Sequence, residues 1–115
     1  MYGIKVRIRC IIDETYPRFA ECVLTDFDGM THIFRDKLPV FSAEYDPIIP
    51  GDGVIRCSVI RETPLYAEVD TSLPDDVESI MGENRFRIAY CDLLLPCHLL
   101  YETPPHSVWL VFFPL

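Results

Sequence analysis

The residues of this chain best suited to chemistry are its five cysteines and its histidines. Structural zinc sites commonly present two ligands as a C-x2-C pair, and the chain has no such pair. The nearest grouping is Cys91, Cys97 and His98, but adjacent ligands on an extended chain point in opposite directions. The local signatures of thiol enzymes are also absent. The pattern therefore favours ordinary packing, and we expect neither a metal site, nor a cofactor, nor enzymatic activity.

Three acidic or glycine-rich motifs have simpler structural interpretations. The stretch Asp26–Gly29 begins like a calcium loop but lacks the later ligands, so it predicts a hairpin turn. The stretch Pro50–Gly53 resembles an anion-binding nest, yet the carboxylates of Asp46 and Asp52 oppose phosphate. The acids of Asp75–Glu78 are typical of the first turn of a helix, where the dipole favours negative charge.

Basic residues alternate on two predicted strands and suggest a binding surface. Lys5, Arg7 and Arg9 share one face of the first strand, and Arg85 and Arg87 share one face of a later strand. On the open side of a small barrel such as an OB-fold, these side chains would follow a phosphate backbone. A strand of alternating bases usually faces acids, however, and the chain has acids to spare. The pattern favours structural ion pairing over nucleic-acid binding.

Net charge points in the same direction. Eighteen acidic residues against ten basic ones leave a net charge of −8. Such a charge disfavours a sequence-independent grip on nucleic acid and favours a basic protein partner. The alternative is that the charge simply keeps a small protein soluble. Among the acids, Asp46 and Asp52 lie in the predicted surface loop Ser42–Gly53, where binding residues are common.

Cysteine usage and hydropathy indicate the compartment. An odd number of cysteines, three of them within predicted strands, is typical of reduced thiols in a cytoplasmic protein. No cationic segment followed by an apolar one opens the chain, so no secretory signal is expected. The apolar runs fall far short of the roughly 18 residues that a spanning helix needs, and we expect no membrane segment.

Period-two alternation of apolar residues predicts strands along most of the chain. The first, Ile4–Ile12, places Ile4, Val6, Ile8, Cys10 and Ile12 on one face and is long enough that we expect it to bend or to be shared between two layers. The remaining strands are predicted at Phe19–Phe27, Met30–Leu38, Val54–Arg61, Leu65–Asp70 and Asn84–Tyr90, the last with Tyr90 inward. A short helix is predicted at Ser72–Met81, with Ser72 as its cap and Gly82 after its end.

The C-terminal segment differs in composition from the rest. All ten lysines and arginines precede Cys91, and the segment after it is rich in large apolar residues. The run Val108–Phe113 lacks alternation, which predicts a strand covered on both faces. Its side chains would either complete the core or form a homodimer interface. The candidate interface residues are Trp109, Val111, Phe112 and Phe113.

Four stretches carry a resemblance to a known group of proteins. They are KVRIRCIIDETYPRFAECVLTDFDG, HIFRDKLPVF, GDGVIRCSVI and VDTSLPDDVES. Together they resemble a group of small uncharacterised bacterial β-rich proteins over residues 1 to about 90. The resemblance implies a bacterial, cytosolic origin and brings no activity, cofactor or catalytic residue with it.

The sequence thus predicts a single all-β domain, a small six- or seven-stranded barrel or sandwich with one short helix. The leading functional hypothesis is a non-catalytic, acidic protein-binding module, such as an immunity-type inhibitor of a basic partner. The alternative is an OB-like domain that binds nucleic acid or a small ligand. A small enzyme would be a third class, but no catalytic constellation supports it.

Overall fold

Alternating apolar residues bring seven strands into one antiparallel sheet in the computed structural model, which describes residues 1–96. The strands are β1 (Tyr2–Asp13), β2 (Phe19–Thr25), β3 (Thr31–Lys37), β4 (Gly51–Glu62), β5 (Tyr66–Asp70), β6 (Arg85–Ala89) and β7 (Leu93–Leu94), and the short helix α1 (Leu38–Phe41) joins β3 to β4. The strand order is β3-β2-β1-β4-β5-β6, and β7 pairs with β1. The sheet curls into a half-barrel, which confirms the predicted all-β architecture with one short helix.

Strand β1 follows the predicted alternation only in its first half. Ile4, Val6 and Ile8 are buried, but the pairing with β2 shifts register between Ile8 and Cys10. A bulge of this kind adds one residue to a strand and reverses the faces beyond it. The prediction that Cys10 and Ile12 point inward is therefore wrong, since both are exposed. The expected bend in the long strand is present as this bulge.

Strand β4 connects the two halves of the curled sheet, because it pairs with both β1 and β5. Its first part, Gly51–Cys57, pairs with β1, and its second part, Ser58–Glu62, pairs with β5 across a register shift between Val59 and Arg61. The strand begins earlier than predicted, because Gly51–Gly53 belongs to it and not to the preceding loop. One long strand thereby shares its length between two neighbours.

Side chains and backbone bonds bring the outer strands of the curled sheet together. The amide of Phe27, after β2, donates to the carbonyl of Arg87 at 2.8 Å, and the amide of Ile80 donates to the carbonyl of Ile33 at 2.8 Å. The rings of Phe34 on β3 and Phe86 on β6 meet edge to face, with centroids 5.6 Å apart. These contacts cover the core between β3 and β6.

The predicted helix at Ser72–Met81 does not form. The hydroxyl of Ser72 donates to Asp70 Oδ1 at 2.6 Å, so it does not cap a helix, and the hydroxyl of Thr71 donates to the carbonyl of Val77 at 2.7 Å. Side-chain bonds of this kind compete with helical ones. Asp76 also adopts a positive φ of 54°, which a right-handed helix excludes.

The helix lies instead at α1, where buried Leu38 and Phe41 anchor it to the sheet. Gly53 of β4 allows this close packing. A Cβ at Gly53 would lie 2.8 Å from Ile8 Cγ1 and 2.9 Å from the carbonyl oxygen of Phe41. The absence of a side chain at Gly53 therefore sets the distance between α1 and the sheet.

Two further predictions concern the C-terminal part of the chain. Tyr90 was expected inward, but it is 41% exposed, and its hydroxyl donates to the carbonyl of Thr63 at 2.6 Å. The predicted strand Val108–Phe113 lies outside the described residues, as do Trp109, Val111, Phe112 and Phe113.

Candidate functional site

The predicted basic surface does not form a continuous stripe. Lys5, Arg7 and Arg9 lie on the outer face of β1, whereas Arg85 and Arg87 lie on β6, with β4 and β5 between the two strands. Their exposure agrees with the predicted faces. Their positions in the sheet do not bring them together.

Ion pairs occupy the arginines of this predicted surface. On β1, Arg9 Nη1 lies 3.5 Å from Glu21 Oε2. Arg7 Nη1 lies 3.8 Å from Asp52 Oδ1. On β6, Arg85 Nε lies 3.2 Å from Asp70 Oδ2. The predicted structural pairing of these bases is therefore confirmed for the arginines.

Arg87 has both an acidic and an aromatic neighbour. Its Nη1 lies 3.7 Å from Asp28 Oδ2, and its guanidinium carbon lies 5.4 Å from the centroid of the Tyr66 ring. The ring of Phe27 also packs against Tyr66, with centroids 5.0 Å apart and the rings tilted by 40°. The outer face of β5 and β6 thus combines paired charges with packed aromatic rings.

The pairing extends to every arginine of the chain. All eight arginines lie within 4 Å of a carboxylate oxygen. Among the described residues, Lys5 and Lys37 are the two bases without such a partner. A phosphate backbone would have to compete with these carboxylates for each guanidinium.

The predicted acidic residues Asp46 and Asp52 lie at one end of the half-barrel. Asp46 is in the loop between α1 and β4, where its Oδ1 accepts a hydrogen bond from Arg18 Nη2 at 3.2 Å. Asp52 is near the start of β4, and its side chain is fully exposed. Arg18 Nη2, which donates to Asp46, also donates to the carbonyl of Tyr45 at 3.1 Å. Arg18 thereby ties the β1–β2 loop to the α1–β4 loop.

We call this surface the acidic end, defined by residues 14–18, residues 42–50 and Asp52. It contains two clefts, one on each side of the chain segment Pro39–Glu44, and Glu44 lines both of them. The first cleft, of about 350 Å³, is bordered by Glu14, Tyr16 and Tyr45. The second, of about 420 Å³, is bordered by Asp52 and Arg56.

Three large aromatic or apolar side chains of the acidic end are exposed to solvent. Tyr16 is 81% exposed, and Tyr45 and Ile48 are each 87% exposed. The buried residues of α1 and the bond from Arg18 fix the loops that carry them. Exposed tyrosines on fixed loops provide contact area at low entropic cost, which is typical of protein interfaces.

The carboxylates of the acidic end outnumber its bases. Glu14, Glu44, Asp46 and Asp52 are acidic, whereas the bases next to them are Arg18 and, beside Asp52, Arg7 of β1. Arg56 borders the second cleft, but its guanidinium forms two hydrogen bonds with Asp75, at 2.7 Å and 3.0 Å. The surface as a whole is negative.

The sequence indicated this end only in part. Asp46 and Asp52 were predicted because they lie in a polar loop. Glu14, Tyr16 and Glu44 were missed, together with Tyr45 and Ile48. The Tyr16-Pro17 pair in the sequence is a local signal for an exposed turn, but the contact that joins the two loops spans 28 residues and leaves no local pattern.

The histidine within the described residues is part of a polar cluster at the β2–β3 hairpin. His32 Nε2 lies 2.8 Å from Asp26 Oδ2, and His32 Nδ1 lies 3.3 Å from Glu83 Oε1. Asp26 Oδ1 also accepts bonds from the amides of Asp28 and Met30, each at 2.9 Å. The predicted hairpin turn at Asp26–Gly29 is confirmed, and His32 braces it.

This cluster determines the titration of Asp26. Burial acts to raise its pKa, but the bonds from His32 and from the two amides outweigh burial and leave the pKa below its ordinary value. The carboxylate is therefore charged in the folded state at neutral pH. The arrangement is that of a structural brace, since no nucleophile is among these contacts.

The described cysteines are all unpaired. Burial, reinforced by the neighbouring Glu21 carboxylate, raises the pKa of Cys22 to about 12, and burial raises that of Cys57 to about 12. Thiols of this kind are poor nucleophiles at neutral pH. Cys10 and Cys91 are exposed, and the predicted neighbours Cys97 and His98 lie outside the described residues.

Within residues 1–96, no three His, Cys, Asp or Glu side chains come together closely enough to hold a metal ion. Over the same residues, no helix has the length and apolar character needed to cross a membrane. Comparison of the chain with protein-family models, with curated proteins and with solved structures finds no match.

Proposed function

We propose that the protein is a non-catalytic protein-binding module whose acidic end docks on a basic partner protein. An immunity-type inhibitor that masks a basic protein would act in this way. The observation that carries the proposal is the acidic end itself. There, two loops joined through Arg18 present exposed tyrosines and carboxylates around two clefts.

Interface physics supports this use of the surface. Tyrosine and arginine dominate the residues that contribute most to binding at protein interfaces, and surrounding contacts exclude water from them. Tyr16 and Tyr45 offer the aromatic half of such contacts. A negative surface around them would attract a basic protein over distance and exclude acidic competitors. The net charge of −8 adds to this steering.

The alternative of an OB-like nucleic-acid binder is less well supported. The curled half-barrel and the exposed arginines are in its favour. Against it, each arginine that would contact phosphate already lies next to a carboxylate. The strong phosphate grip of a basic groove would require breaking these pairs. The four unpaired cysteines among residues 1–96 support a cytoplasmic location for either function.

Capture of the partner from a cell extract, followed by mass spectrometry, tests the proposal. We expect one abundant basic protein to be retained by the native chain and lost with the double variant Glu44→Lys/Asp52→Lys. Both substitutions replace exposed side chains of the acidic end. The matched control is Glu62→Lys/Glu78→Lys, which makes the same change in charge at exposed residues that border neither cleft.

Two outcomes would contradict the proposal. One is retention of the same protein by the native chain and by Glu44→Lys/Asp52→Lys alike. The other is retention of nucleic acid that is released by salt or by nuclease, which would support the OB-like alternative.

A further inference from the structure

We propose that the first cleft of the acidic end is the site for an arginine side chain of the partner. The guanidinium would stack on the Tyr16 or Tyr45 ring and pair with Glu44. This inference rests on the proposed function and specifies the chemistry by which the partner is recognised.

The lining of the cleft matches the three parts of an arginine. Pro39 and Ala43 offer exposed apolar surface to the aliphatic stem, and Tyr16 and Tyr45 are also among the lining residues. Glu14 and Glu44 supply carboxylate oxygens that accept hydrogen bonds from the fork of N–H donors. A volume of about 350 Å³ lies at the low end of ligand pockets, which suits one long side chain.

Charge within the cleft selects a cation. Glu14 and Glu44 line the cleft together with the single guanidinium of Arg18, and Asp46, which lies outside the lining, also pairs with Arg18, so that these three carboxylates outnumber the one base. Arg18 Nη1 lies 3.7 Å from Glu14 Oε1 and Nη2 lies 3.2 Å from Asp46 Oδ1. Within residues 1–96, Glu44 has no ion-pair partner of its own. Glu44 is therefore the carboxylate that remains for an incoming cation.

The tyrosines and carboxylates that line the cleft favour arginine over lysine. A guanidinium stacks flat on an aromatic ring and binds a carboxylate with two parallel bonds, whereas an ammonium is a compact and strongly hydrated point charge. The backbone that carries one ring is held before the partner arrives, because Arg18 Nη2 donates to the carbonyl of Tyr45 at 3.1 Å. A preformed site loses less entropy on binding.

Nuclear magnetic resonance titration with the peptide acetyl-Gly-Arg-Gly-amide tests the inference on the whole chain. We expect saturable shifts of the Tyr16 and Tyr45 ring signals and of the Glu44 amide. The matched peptide has citrulline, which keeps the shape of arginine without its charge. We expect its affinity to be lower by a factor of about ten or more. Equal shifts with arginine and citrulline, or shifts confined to other residues, would overturn the proposal. A lysine peptide that binds as tightly as the arginine peptide would overturn the assignment of a guanidinium.

Substitution of the walls provides the second readout. Tyr16→Ala/Tyr45→Ala should weaken the arginine peptide by about 3- to 10-fold. Leu65→Ala/Met81→Ala, which also truncates two exposed apolar side chains but away from the cleft, should leave binding unchanged. Circular dichroism of each variant verifies that the fold is retained. Full peptide affinity in a folded Tyr16→Ala/Tyr45→Ala variant would overturn the role of the rings.

The failure of this inference is distinguishable from failure of the proposed function. If Glu44→Lys/Asp52→Lys loses the partner while the peptide fails to shift the tyrosines, the arginine site is wrong and the acidic docking surface stands. If the peptide binds at the cleft but no basic protein is captured, the arginine site stands and the proposed function is wrong.

Discussion

Individual carboxylates of this chain fall into two groups, one that stabilises the fold and one that is available for binding. Asp70 and Asp75 are largely covered and lie within 3.2 Å of arginine nitrogens, so they hold the fold together. Glu44 and Asp52 are exposed at the acidic end, where Asp52 is fully exposed and lies 3.8 Å from Arg7. A solvated carboxylate contributes little to folding and is available for binding. The second group is therefore the one that we expect to act in recognition.

Gly53 provides a test at the scale of one atom. In Gly53→Ala, the new Cβ would meet Ile8 Cγ1 at 2.8 Å and the Phe41 carbonyl oxygen at 2.9 Å. We expect a loss of about 1–3 kcal/mol in the free energy of unfolding, because α1 must move away from the sheet. Urea denaturation measures this loss. Ser58→Ala, at an exposed position of the same strand, is the control and should change stability by less than about 0.5 kcal/mol. A Gly53→Ala chain as stable as the native one would show that α1 does not rest on Gly53.

Asp26 provides a test through pH. Because its folded-state pKa lies below 3.8, folding favours its charged form, and this stabilisation is present at neutral pH. It is lost as the pH falls from about 3.8 through the folded pKa. Asp26→Asn should therefore be less stable than the native chain at pH 7, by about 1 kcal/mol, and the gap should narrow below pH 4. Urea denaturation at pH 7 and pH 3 measures the gap. A gap that widens in acid would contradict the brace of Asp26 by His32.

At the scale of elements, periodicity predicted the strands well and the irregular segments badly. The alternation of apolar residues that predicted β1 reflects side-chain packing and is visible in the sequence itself. The loop that replaces the predicted helix depends on bonds that periodicity does not reveal, such as the one from the amide of Thr71 to the carbonyl of Asn84. The hydroxyl of Thr71 also donates to the carbonyl of Val77, six residues ahead, and this bond does not occur in a helix. The acidic end was predicted only in part for the same reason, since the contact of Arg18 with Asp46 spans 28 residues.

Strand β1 is the element on which the sheet depends, because it pairs with β2, β4 and β7. Val6→Asp would place an unpaired charge at a position that is 6% exposed, so we expect the chain to unfold. Lys5→Ala, on the outer face of the same strand, should cost under about 1 kcal/mol. Chemical denaturation compares the two. A Val6→Asp midpoint within error of the native value would contradict the assignment of the faces.

The link between the two loops of the acidic end depends on Arg18. In Arg18→Ala, we expect the amides of residues 44–48 to exchange hydrogen faster, because the bonds to Tyr45 and Asp46 are lost. Global stability should change by less than about 1 kcal/mol, since the pair is near the surface. Hydrogen-exchange mass spectrometry measures both effects. Arg9→Ala, which removes a similar ion pair with Glu21, is the control and should leave these amides unchanged.

At the scale of the whole molecule, charge is distributed unevenly over the half-barrel. The sides carry arginines matched to carboxylates, whereas one end gathers carboxylates, exposed tyrosines and two clefts. A surface with matched charges contributes to solubility and folding. A surface on which carboxylates outnumber bases and aromatic rings are exposed is the one on which a partner gains most by binding.

Hydrogen-exchange footprinting of the complex with the captured basic protein tests this account most directly. We predict that binding slows hydrogen exchange in residues 14–18 and 42–52. Exchange in residues 66–70 of β5 and 85–89 of β6 should be unchanged. Protection confined to β5 and β6, with residues 14–18 and 42–52 exchanging as they do in the free chain, would contradict the assignment of the acidic end as the docking surface.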